Sequence, residues 1–565
     1  MPLQPDGRLI KNGITLLSGV DPAGRAKKIV NSIAIKDRTL YLCPSPLYGY
    51  GFSDLLSKIE LQAPNSAVLC IEADPELYEL SLKNIETSLL NNKLLRLTNI
   101  CDGETLYSFI CKNWGQMAFR RIEIIKLTGG WQLFPKVYDF LFNYIQSEIA
   151  TDWSNALTLT KLGRLYIRNT LRNLAFFSHF LSHSIEELSF GSDPVLVLGA
   201  GPSLDETLDT LNRYFPPLEK RPFKIICVDT CLYAFKERNI TPDLAVILES
   251  QFWNLRDFIG CKGWNVDTVI DISSLPASAR LLTGNKYLFM TPWTKLKIFD
   301  RLKERNLFPS NIAPLGSVGL TAVELARRLT NGNIICAGLD FSFTDDKYHA
   351  KSTPGHKNKL NLQTRFKRIL NTIAYEKHSL TAVSKSGLPV KTNAVMRGYR
   401  DLFEQEFSGD NRLFDIEGSG LPLGVKTLSM EEAILTLKNN TNFISQRRRT
   451  KGSQGAEDTE EEELKKLTPC APFSPCLRVK NSELIKFYNI EIKLLKELKD
   501  LLTGDEAMNQ QRLTELIEEC DYLWAHFPDY SGGRYPNIND VSFLKRIRAE
   551  IDPMMKLLEK VKHVY

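Results

Sequence analysis

The chain has 565 residues, of which 43% are hydrophobic and 24% charged, and its net charge is +6. This length exceeds what one hydrophobic core supports, so two to four domains are expected. The small charge excess is spread along the chain and does not indicate a nucleic-acid partner. No run of eighteen apolar residues predicts a membrane span, and the first residues, MPLQPDGRLI, lack the pattern of a secretory signal, so a cytoplasmic protein is expected.

The cysteines also bear on the compartment. Eleven of them are scattered along the chain, several within apolar runs such as SAVLCIE and NIICAGLD, where a free thiol packs as a small hydrophobic side chain. No CxxC pair occurs, and Cys227 and Cys231 have no histidine beside them, so a zinc site is not predicted. This usage favours a reducing compartment.

Residues 1–150 are predicted to form an N-terminal Rossmann-like α/β domain. Two short strand candidates and a capped helix precede strand–turn–helix units in TLYLCPSPLYGYGFSDLLSKI and SAVLCIEADPELYELSLKNI. The second strand ends at Glu72, where nucleotide-binding folds contact a ribose. The turn CPSP, residues 43–46, lacks the fingerprint glycines, and its prolines remove N–H donors. The sequence therefore favours a structural role for this domain over cofactor binding.

Residues 151–190 repeat apolar residues at helical spacing and are predicted to be a helical connector. Residues 191–430 alternate apolar runs with helical stretches, which predicts a doubly wound parallel sheet in a central domain. Ligands bind such sheets at the carboxyl ends of the strands. The polar residues that directly follow these strands are therefore candidates: Ser203, Asp229, Glu249, Asp271 and Asp340.

Residues 440–480 contain a run of arginines, a run of glutamates and several prolines, and are predicted to be a flexible linker. Residues 481–565 begin with a capped helix that ends at Gly504 and are predicted to form a helical C-terminal domain. The predicted fold class is therefore α/β, with a Rossmann-like doubly wound sheet in the centre. A smaller Rossmann-like domain precedes it and helices follow it.

The most informative stretch is VLVLGAGPSLD, residues 195–205, which predicts a buried parallel strand, a tight turn and the start of a helix. Gly199, Gly201 and the N–H groups near Ser203 are expected to cradle a phosphate, because the N-terminus of a helix favours negative charge. A second helix start, GSVG at 316–319, offers further donors. Alone, such a turn is a weak signal that many doubly wound proteins share.

Three later segments make the signal specific. CVDTCLYAFKERNITPDLAVILES places Asp229 at a strand end, GSVGLTAVELARRL leads through GLDFSF to Tyr348 and His349, and RLFDIEGSG contains Glu417 and Gly418. In this order the segments resemble the MptE-like domain of the motility-associated factor (Maf) family of flagellin glycosyltransferases. The domain is also similar to bacterial sialyltransferases that use CMP-activated sugars. The resemblance covers residues 193–424 closely and the rest of the chain by its three-part layout.

This resemblance implies transfer of a nonulosonic sugar, such as pseudaminic or legionaminic acid, from a CMP donor to Ser or Thr hydroxyls of flagellin, a step needed for flagellum assembly and motility. It also implies that strand-end residues bind the donor: Gly199, Ala200, Gly201, Pro202, Ser203, Asp229, Gly316, Ser317, Gly319, Asp340, Thr392, Glu417 and Gly418. Ala200 stands where sialyltransferases carry Asn, but the Maf-type turn also has Ala, which favours the Maf branch.

The same resemblance implies the catalytic residues. A hydroxyl nucleophile needs a base, and a histidine that titrates near neutral pH suits this role. The sialyltransferases carry their base in the loop after the strand that corresponds to GLDFSF, which implies His349, with His356 as the alternative. Tyr348 and Lys351 would then steady the leaving phosphate.

Two alternatives stay open. Another branch of the domain family is an archaeal pterin kinase that transfers diphosphate from ATP to 6-hydroxymethylpterin with Mg2+, for which Asp243, Glu249 and Asp340 would hold the metal. Those kinases look like smaller chains without the flanking domains. The second alternative is a non-catalytic flagellin-binding or assembly factor, which would bind no donor nucleotide.

Overall fold

The structure is a computed structural model that describes residues 7–115, 117–179, 182–216, 221–344, 347–366, 368, 379–438, 481–503, 510–528, 530 and 538–563. The chain divides into two compact units, Met1–Arg164 with Leu523–Ile547 and Leu165–Tyr522 with Arg548–Tyr565. The predicted linker over 440–480 lies outside the described residues.

The first unit is built on a small parallel sheet. Its elements in chain order are β1 (Leu9–Lys11), β2 (Ile14–Leu17), α1 (Pro22–Ser32), β3 (Thr39–Pro44), α2 (Phe52–Gln62), β4 (Ala67–Ile71), α3 (Pro75–Asn84), α4 (Thr87–Leu90), β5 (Leu95–Thr98), α5 (Gly103–Trp114) and β6 (Arg121–Ile124). Strands β1 and β2 form an antiparallel hairpin, and the other four form the parallel sheet in the order β5-β4-β3-β6. Every residue of β3 and β4 is buried, as expected for central strands covered on both faces.

A single 45-residue helix, α6 (Pro135–His179), contains most of the predicted connector and begins well before residue 151. Within the second unit its side chains bind strand-end loops of the large sheet. Asn169 Nδ2 donates to the carbonyls of Ser250 (3.1 Å) and Ser273 (3.0 Å), and Asn173 Nδ2 donates to those of Ile272 (2.8 Å) and Ser274 (2.9 Å). This part of α6 is thus fixed to the carboxyl edge of the sheet.

The second unit holds a ten-stranded parallel sheet. Its elements are β7 (Ser182–Ser184), β8 (Val195–Leu198), α7 (Leu204–Tyr214), β9 (Lys224–Val228), α8 (Leu232–Glu237), β10 (Leu244–Ile247), β11 (Thr268–Asp271), β12 (Lys286–Met290), α9 (Lys297–Glu304), β13 (Ser310–Asn311), α10 (Val318–Leu329), β14 (Ile334–Ala337), α11 (Pro354–Leu362), β15 (Leu380–Val383), β16 (Pro389–Thr392), α12 (Ala394–Phe407), β17 (Leu413–Ile416), β18 (Lys426–Leu428) and a helix over 430–438. Strands β15 and β16 form a separate antiparallel hairpin.

The strand order of the large sheet is β13-β12-β11-β10-β9-β8-β14-β17-β18, with β7 also paired to β12. From β8, strands β9 to β13 extend to one side, whereas β14, β17 and β18 extend to the other. The winding therefore reverses between β8 and β14, which is where open α/β sheets bind ligands. The predicted Rossmann-like, doubly wound fold is confirmed.

Helices follow the sheet, as predicted: α13 (Asn481–Thr503), α14 (Gln510–Glu519) and α15 (Val541–His563). Within the second unit, Arg301 of α9 forms a bidentate ion pair with the buried Glu491 of α13 at 2.6 and 2.9 Å. Tyr488 OH donates to the carbonyl of Leu171 in α6 (2.9 Å). Among the described helices, none has the length and apolar character that crossing a bilayer requires.

Candidate functional site

A cavity of about 500 Å³ opens at the carboxyl ends of β8, β14 and β17, where the winding of the large sheet reverses. This volume lies within the range of sites that hold small molecules. The walls include the loop after each of these strands: Pro202 and Ser203 after β8, Gly338 after β14, and Glu417 and Gly418 after β17.

The charged and polar groups of the lining fall into three sets. The lysines are Lys347, Lys351 and Lys385. The carboxylates are Asp205, Glu206, Glu417 and Glu431. The hydroxyl groups are those of Ser203, Thr207, Thr344 and Ser419. Ammonium groups donate to phosphate or carboxylate, and carboxylates accept from hydroxyl groups, so this lining suits a ligand with both an anionic group and sugar hydroxyls.

The glycines of the turn after β8 are required by its contact with the loop after β14. A Cβ on Gly201 would lie 2.2 Å from Oδ2 of Asp340 and 2.6 Å from the carbonyl oxygen of Gly338. A Cβ on Gly199 would lie 2.5 Å from the same carbonyl oxygen. The two N–H groups donate to the carbonyls of Ala337 (2.9 Å, from Gly199) and Gly338 (2.8 Å, from Gly201). These glycines thus let two backbones approach each other.

Asp340 occupies the N-terminal end of α7. Its carboxylate accepts from the N–H of Ser203 (2.9 Å) and from the Ser203 hydroxyl (2.8 Å). The N–H groups that the sequence assigns to a phosphate at Gly199, Gly201 and Ser203 all donate to protein acceptors in this structure. Binding of a sugar donor by this turn stays a prediction.

The second helix start, at the beginning of α10, is packed against the same loop. The Ser317 hydroxyl accepts from the N–H of Gly319 (3.3 Å), which caps the helix locally. A Cβ on Gly319 would lie 2.6 Å from Cδ2 of Leu339, the atom that would lie 2.5 Å from a Cβ on Gly199. Leu339 therefore packs against both glycines, and neither Ser317 nor Gly316 is among the residues that line the cavity.

Asp229 and Thr392 are both buried and bonded within the protein. The carboxylate of Asp229 accepts from Asn254 Nδ2 (2.7 Å) and from the N–H of Thr230 (2.8 Å), and burial raises its pKa to about 6. The Thr392 hydroxyl donates to the carbonyl of Phe341 (2.8 Å) and so fixes the β15–β16 hairpin to the loop after β14. Both residues lie outside the cavity lining.

The metal ligands expected for a pterin kinase do not come together. Asp243 precedes β10, and its carboxylate contacts Arg221 (3.3 Å), Lys224 (3.2 Å) and the N–H of Ile225 (2.9 Å) at the amino ends of the strands. Glu249 and Asp340 follow their strands, at the opposite edge of the sheet. Including Asp243 in this metal set is therefore wrong. Within the described part of the chain no three His, Cys, Asp or Glu side chains form a metal-binding group.

The loop after β14 contributes Lys347 and Lys351 to the cavity, while Tyr348, His349 and His356 lie outside the lining. The N–H of Ala350 donates to the carbonyl of Ala200 (3.0 Å), so the backbone beside His349 is fixed to the turn after β8. The catalytic roles of the three residues stay predictions.

Both histidines in this region favour the neutral form. Desolvation, together with the positive charges of Lys359 and His356, lowers the pKa of His349. His349 itself is exposed. Burial and the charges of Lys347 and Lys359 lower the pKa of His356, which is 8% exposed in the first turn of α11. An unprotonated imidazole at neutral pH can accept a proton.

Sequence and structure therefore agree on part of the site. Four of the predicted donor-binding residues line the cavity: Pro202, Ser203, Glu417 and Gly418. Sequence reasoning missed Lys385 and Thr344. Lys385 lies in the turn of an antiparallel hairpin, and its segment SKSG carries no signal of a site. Thr344 follows GLDFSF directly, and its place after a strand is the one signal that was available.

The fold and the cavity define a Rossmann-like protein with a cavity at a topological switch point. The structure is similar to that of a MAf glycosyltransferase from Magnetospirillum magneticum AMB-1, with a TM-score of 0.54 and 14% identity over 99% of this chain and 91% of that chain. At this identity the likeness establishes the fold.

Two sequence comparisons identify the family. Residues 168–346 match the family described as 6-hydroxymethylpterin diphosphokinase MptE-like. A protein of Treponema pallidum (strain Nichols), described as uncharacterized, is 30% identical over an alignment 577 residues long. The alignment covers 98% of this chain and 95% of that protein. This chain and the Treponema protein therefore belong to one family, residues 168–346 form an MptE-like domain, and the fold is of the Maf type.

Proposed function

We propose that this protein is a glycosyltransferase that transfers a nonulosonic sugar from a CMP donor to Ser or Thr hydroxyls of flagellin. The observation that carries the proposal is the cavity of about 500 Å³ at the switch point of the sheet, lined by three lysines, four carboxylates and several hydroxyl groups. A nucleotide sugar has the phosphate and the hydroxyl groups that such a lining can bind. The Maf-type fold supports the same reaction class.

In the proposed reaction, the acceptor hydroxyl oxygen bonds to the anomeric carbon of the sugar. The bond between that carbon and the phosphate oxygen breaks, and CMP leaves with the electron pair. His349 accepts the proton of the hydroxyl group: it is exposed, and its lowered pKa keeps the imidazole unprotonated at neutral pH. Lys347 and Lys351, on either side of His349, then stabilise the negative charge that develops on the leaving phosphate.

Ligand binding tests the donor first. CMP and CDP are expected to raise the melting temperature of the full chain, because a ligand that binds only the folded state stabilises it. ATP with 6-hydroxymethylpterin and Mg2+ is the matched comparison for the diphosphokinase reaction that the family description suggests. If ATP and pterin stabilise the protein and CMP and CDP do not, the glycosyltransferase proposal is rejected in favour of the diphosphokinase reaction. No response to either pair would favour the non-catalytic alternative.

The base assignment is tested by His349→Ala. Removing a general base lowers the rate of transfer by about 100- to 10,000-fold, whereas CMP affinity should be unchanged. The measurement is the intact mass of flagellin after incubation with the enzyme and the CMP-sugar. His563→Ala, on an exposed residue of α15, is the control. Normal transfer by the His349 variant would move the role to His356 or remove it from this loop.

A further inference from the structure

Lys385 is the one cavity lysine with a side chain that is almost fully buried. It lies in the turn between β15 and β16, its side chain is 5% exposed, and it lines the cavity. Nζ donates to Oδ1 of Asp415 at 2.6 Å and to the carbonyl of Ile416 at 3.0 Å. Both acceptors belong to the end of β17. The ammonium group is thus held in one position at the edge of the cavity.

The buried pair of Lys385 and Asp415 is not internally satisfied. A lysine ammonium group has three N–H donors, and two of them have acceptors among the described residues. Oδ2 of Asp415 is buried and has no hydrogen-bond partner within the described part of the chain. A buried ion pair that leaves donors and acceptors unmatched is a poor source of stability. One N–H of Lys385 therefore remains for a ligand.

The other two lysines of the cavity lie closer to solvent. Lys351 is exposed and Lys347 is half-buried, so water screens their charges. Lys385 is already ordered by two hydrogen bonds. Binding an anion would therefore cost little further conformational entropy of the lysine side chain. Charge-assisted hydrogen bonds are also stronger in a site shielded from water. Among the three lysines, Lys385 is the best prepared to hold an anionic group.

We propose that Lys385 anchors an anionic group of the ligand in this cavity and that Asp415 positions its ammonium group. This inference rests on the proposed function, in which the ligand is a CMP-sugar. Such a donor carries two anions, the phosphate of the nucleotide and the carboxylate of the sugar, and both fit the chemistry of the site. The ligands used in the test separate them.

The test compares the two partners of the ion pair. Lys385→Gln is expected to weaken the binding of CMP and CDP by about 10-fold or more, because it removes a charge-assisted hydrogen bond. Asp415→Asn is expected to tighten binding, because it keeps an oxygen acceptor for the lysine and removes a negative charge that opposes the anion. Isothermal titration calorimetry on the full chain measures both dissociation constants, and urea unfolding measures the stability of each variant.

A purely structural ion pair gives a different result. Both variants would then lose stability and affinity together, and that outcome overturns the proposal. Lys391→Gln is the matched control: this lysine lies on the same hairpin, donates to the hydroxyl of Thr381 (2.9 Å) and is exposed. Its variant should bind CMP within twofold of the wild type. If Lys385→Gln fails to fold, the direction of the change in Asp415→Asn decides.

The choice of ligand identifies the anion. Loss of CMP and CDP affinity in Lys385→Gln, with unchanged affinity for a free sialic acid, assigns Lys385 to the phosphate, and the reverse assigns it to the sugar carboxylate. Cytidine, which has neither anion, should be unaffected. If the wild type does not bind CMP but binds pyrophosphate or ATP, and Lys385→Gln weakens that binding, the CMP donor is rejected and the role of Lys385 as an anion anchor is kept. Unchanged affinity for CMP, CDP and sialic acid alike in a folded Lys385→Gln variant, or no binding of any of these anions by the wild type, overturns the anchor.

Discussion

In both parallel sheets, a serine in the turn after a strand donates its hydroxyl group to a carboxylate beyond the neighbouring strand. Ser45, after β3, donates to Oε2 of Glu72, after β4, at 2.7 Å. Ser203, after β8, donates to Oδ1 of Asp340, after β14, at 2.8 Å. The two strand ends therefore share a local hydrogen-bonding pattern, and they differ in what surrounds it.

The strand ends of the small sheet are closed. Ser45 is fully buried and Glu72 is 1% exposed, and a Cβ on Gly130 would lie 2.0 Å from the Ser45 hydroxyl oxygen. Glu72 also accepts from the N–H of Asp74 (3.2 Å) and from Tyr138 OH (3.4 Å). This carboxylate is buried and bonded within the protein, and the structural role of the domain stays a prediction.

The strand ends of the large sheet are open. Ser203 lines the cavity of about 500 Å³, while Asp340 lies behind it and fixes the turn. The serine–carboxylate pair is thus buried in one sheet, whereas in the other its serine lines a cavity. Rossmann-like topology alone does not decide whether the strand ends are open, because the loops that cover them decide.

The largest expected effect concerns the closed strand end. Burial raises the pKa of Glu72 from 4.5 to about 7, so the folded state retains a proton that the unfolded state releases. Stability from this group is complete below pH 4.5 and is lost as the pH rises to about 7, which amounts to about 3 kcal/mol. Glu72→Gln should remove this pH dependence from the free energy of unfolding.

Urea unfolding at a series of pH values measures the difference between Glu72→Gln and wild type. The control is Glu79→Gln, which changes an exposed carboxylate on α3. Parallel stability curves for Glu72→Gln and wild type between pH 4.5 and 7 would show that Glu72 is ionised in a solvated site, and the contrast between the two sheets would fail.

The next effect concerns the turn at the open strand end. Gly201→Val should lower the free energy of unfolding by about 2 to 3 kcal/mol, because its Cβ has no space beside Asp340 and Gly338. Gly398→Ala, on α12 with no atom within 4 Å of the new Cβ, should change stability by less than about 1 kcal/mol. If Gly201→Val keeps wild-type stability and loses only CMP binding, the glycine serves the ligand, as the sequence analysis expected.

The smallest effect compares the two serines directly. Ser45→Ala leaves a buried oxygen of Glu72 without this donor and should cost about 2 kcal/mol of stability. Ser203→Ala should cost about 1 kcal/mol, because Asp340 keeps the N–H of Ser203 and lies beside a cavity that admits water. Urea unfolding of both variants at pH 7 tests the ranking. Equal costs would mean that the two strand ends are similarly solvated.

Most of the fold could be predicted from the sequence because the central strands of the large sheet, such as β8, β10 and β14, are short apolar runs between helical stretches. The carboxyl ends of parallel strands lie at one edge, and of the five residues predicted there on this ground Ser203 lines the cavity. Glu417 and Gly418, which also line it, were implied by the family resemblance. The extent of α6 and the β15–β16 hairpin could not be predicted in the same way. The hairpin strands have four residues each and are largely exposed, so they carry little hydrophobic signal.

The chemical use of the glycine turn was harder to predict. A GAGPS turn before a helix has the same sequence whether its N–H groups face a phosphate or another loop. In this chain the N–H groups of the turn donate hydrogen bonds to the end of β14 and to the loop that contains Gly338 and Asp340. Asp243 shows a second limit, because a residue just before a strand lies at the edge opposite to a residue just after one.

By itself, the sequence determined the parallel α/β architecture and the edge of the sheet at which the cavity lies, because strand periodicity and strand-end residues are local properties of the chain. Only the tertiary structure decided which strand ends are open. Glu72, at a strand end of the first sheet, is buried, whereas Lys385, from the β15–β16 hairpin, lines the cavity at the second. Such contacts join residues far apart in the chain, and no local pattern of residues records them.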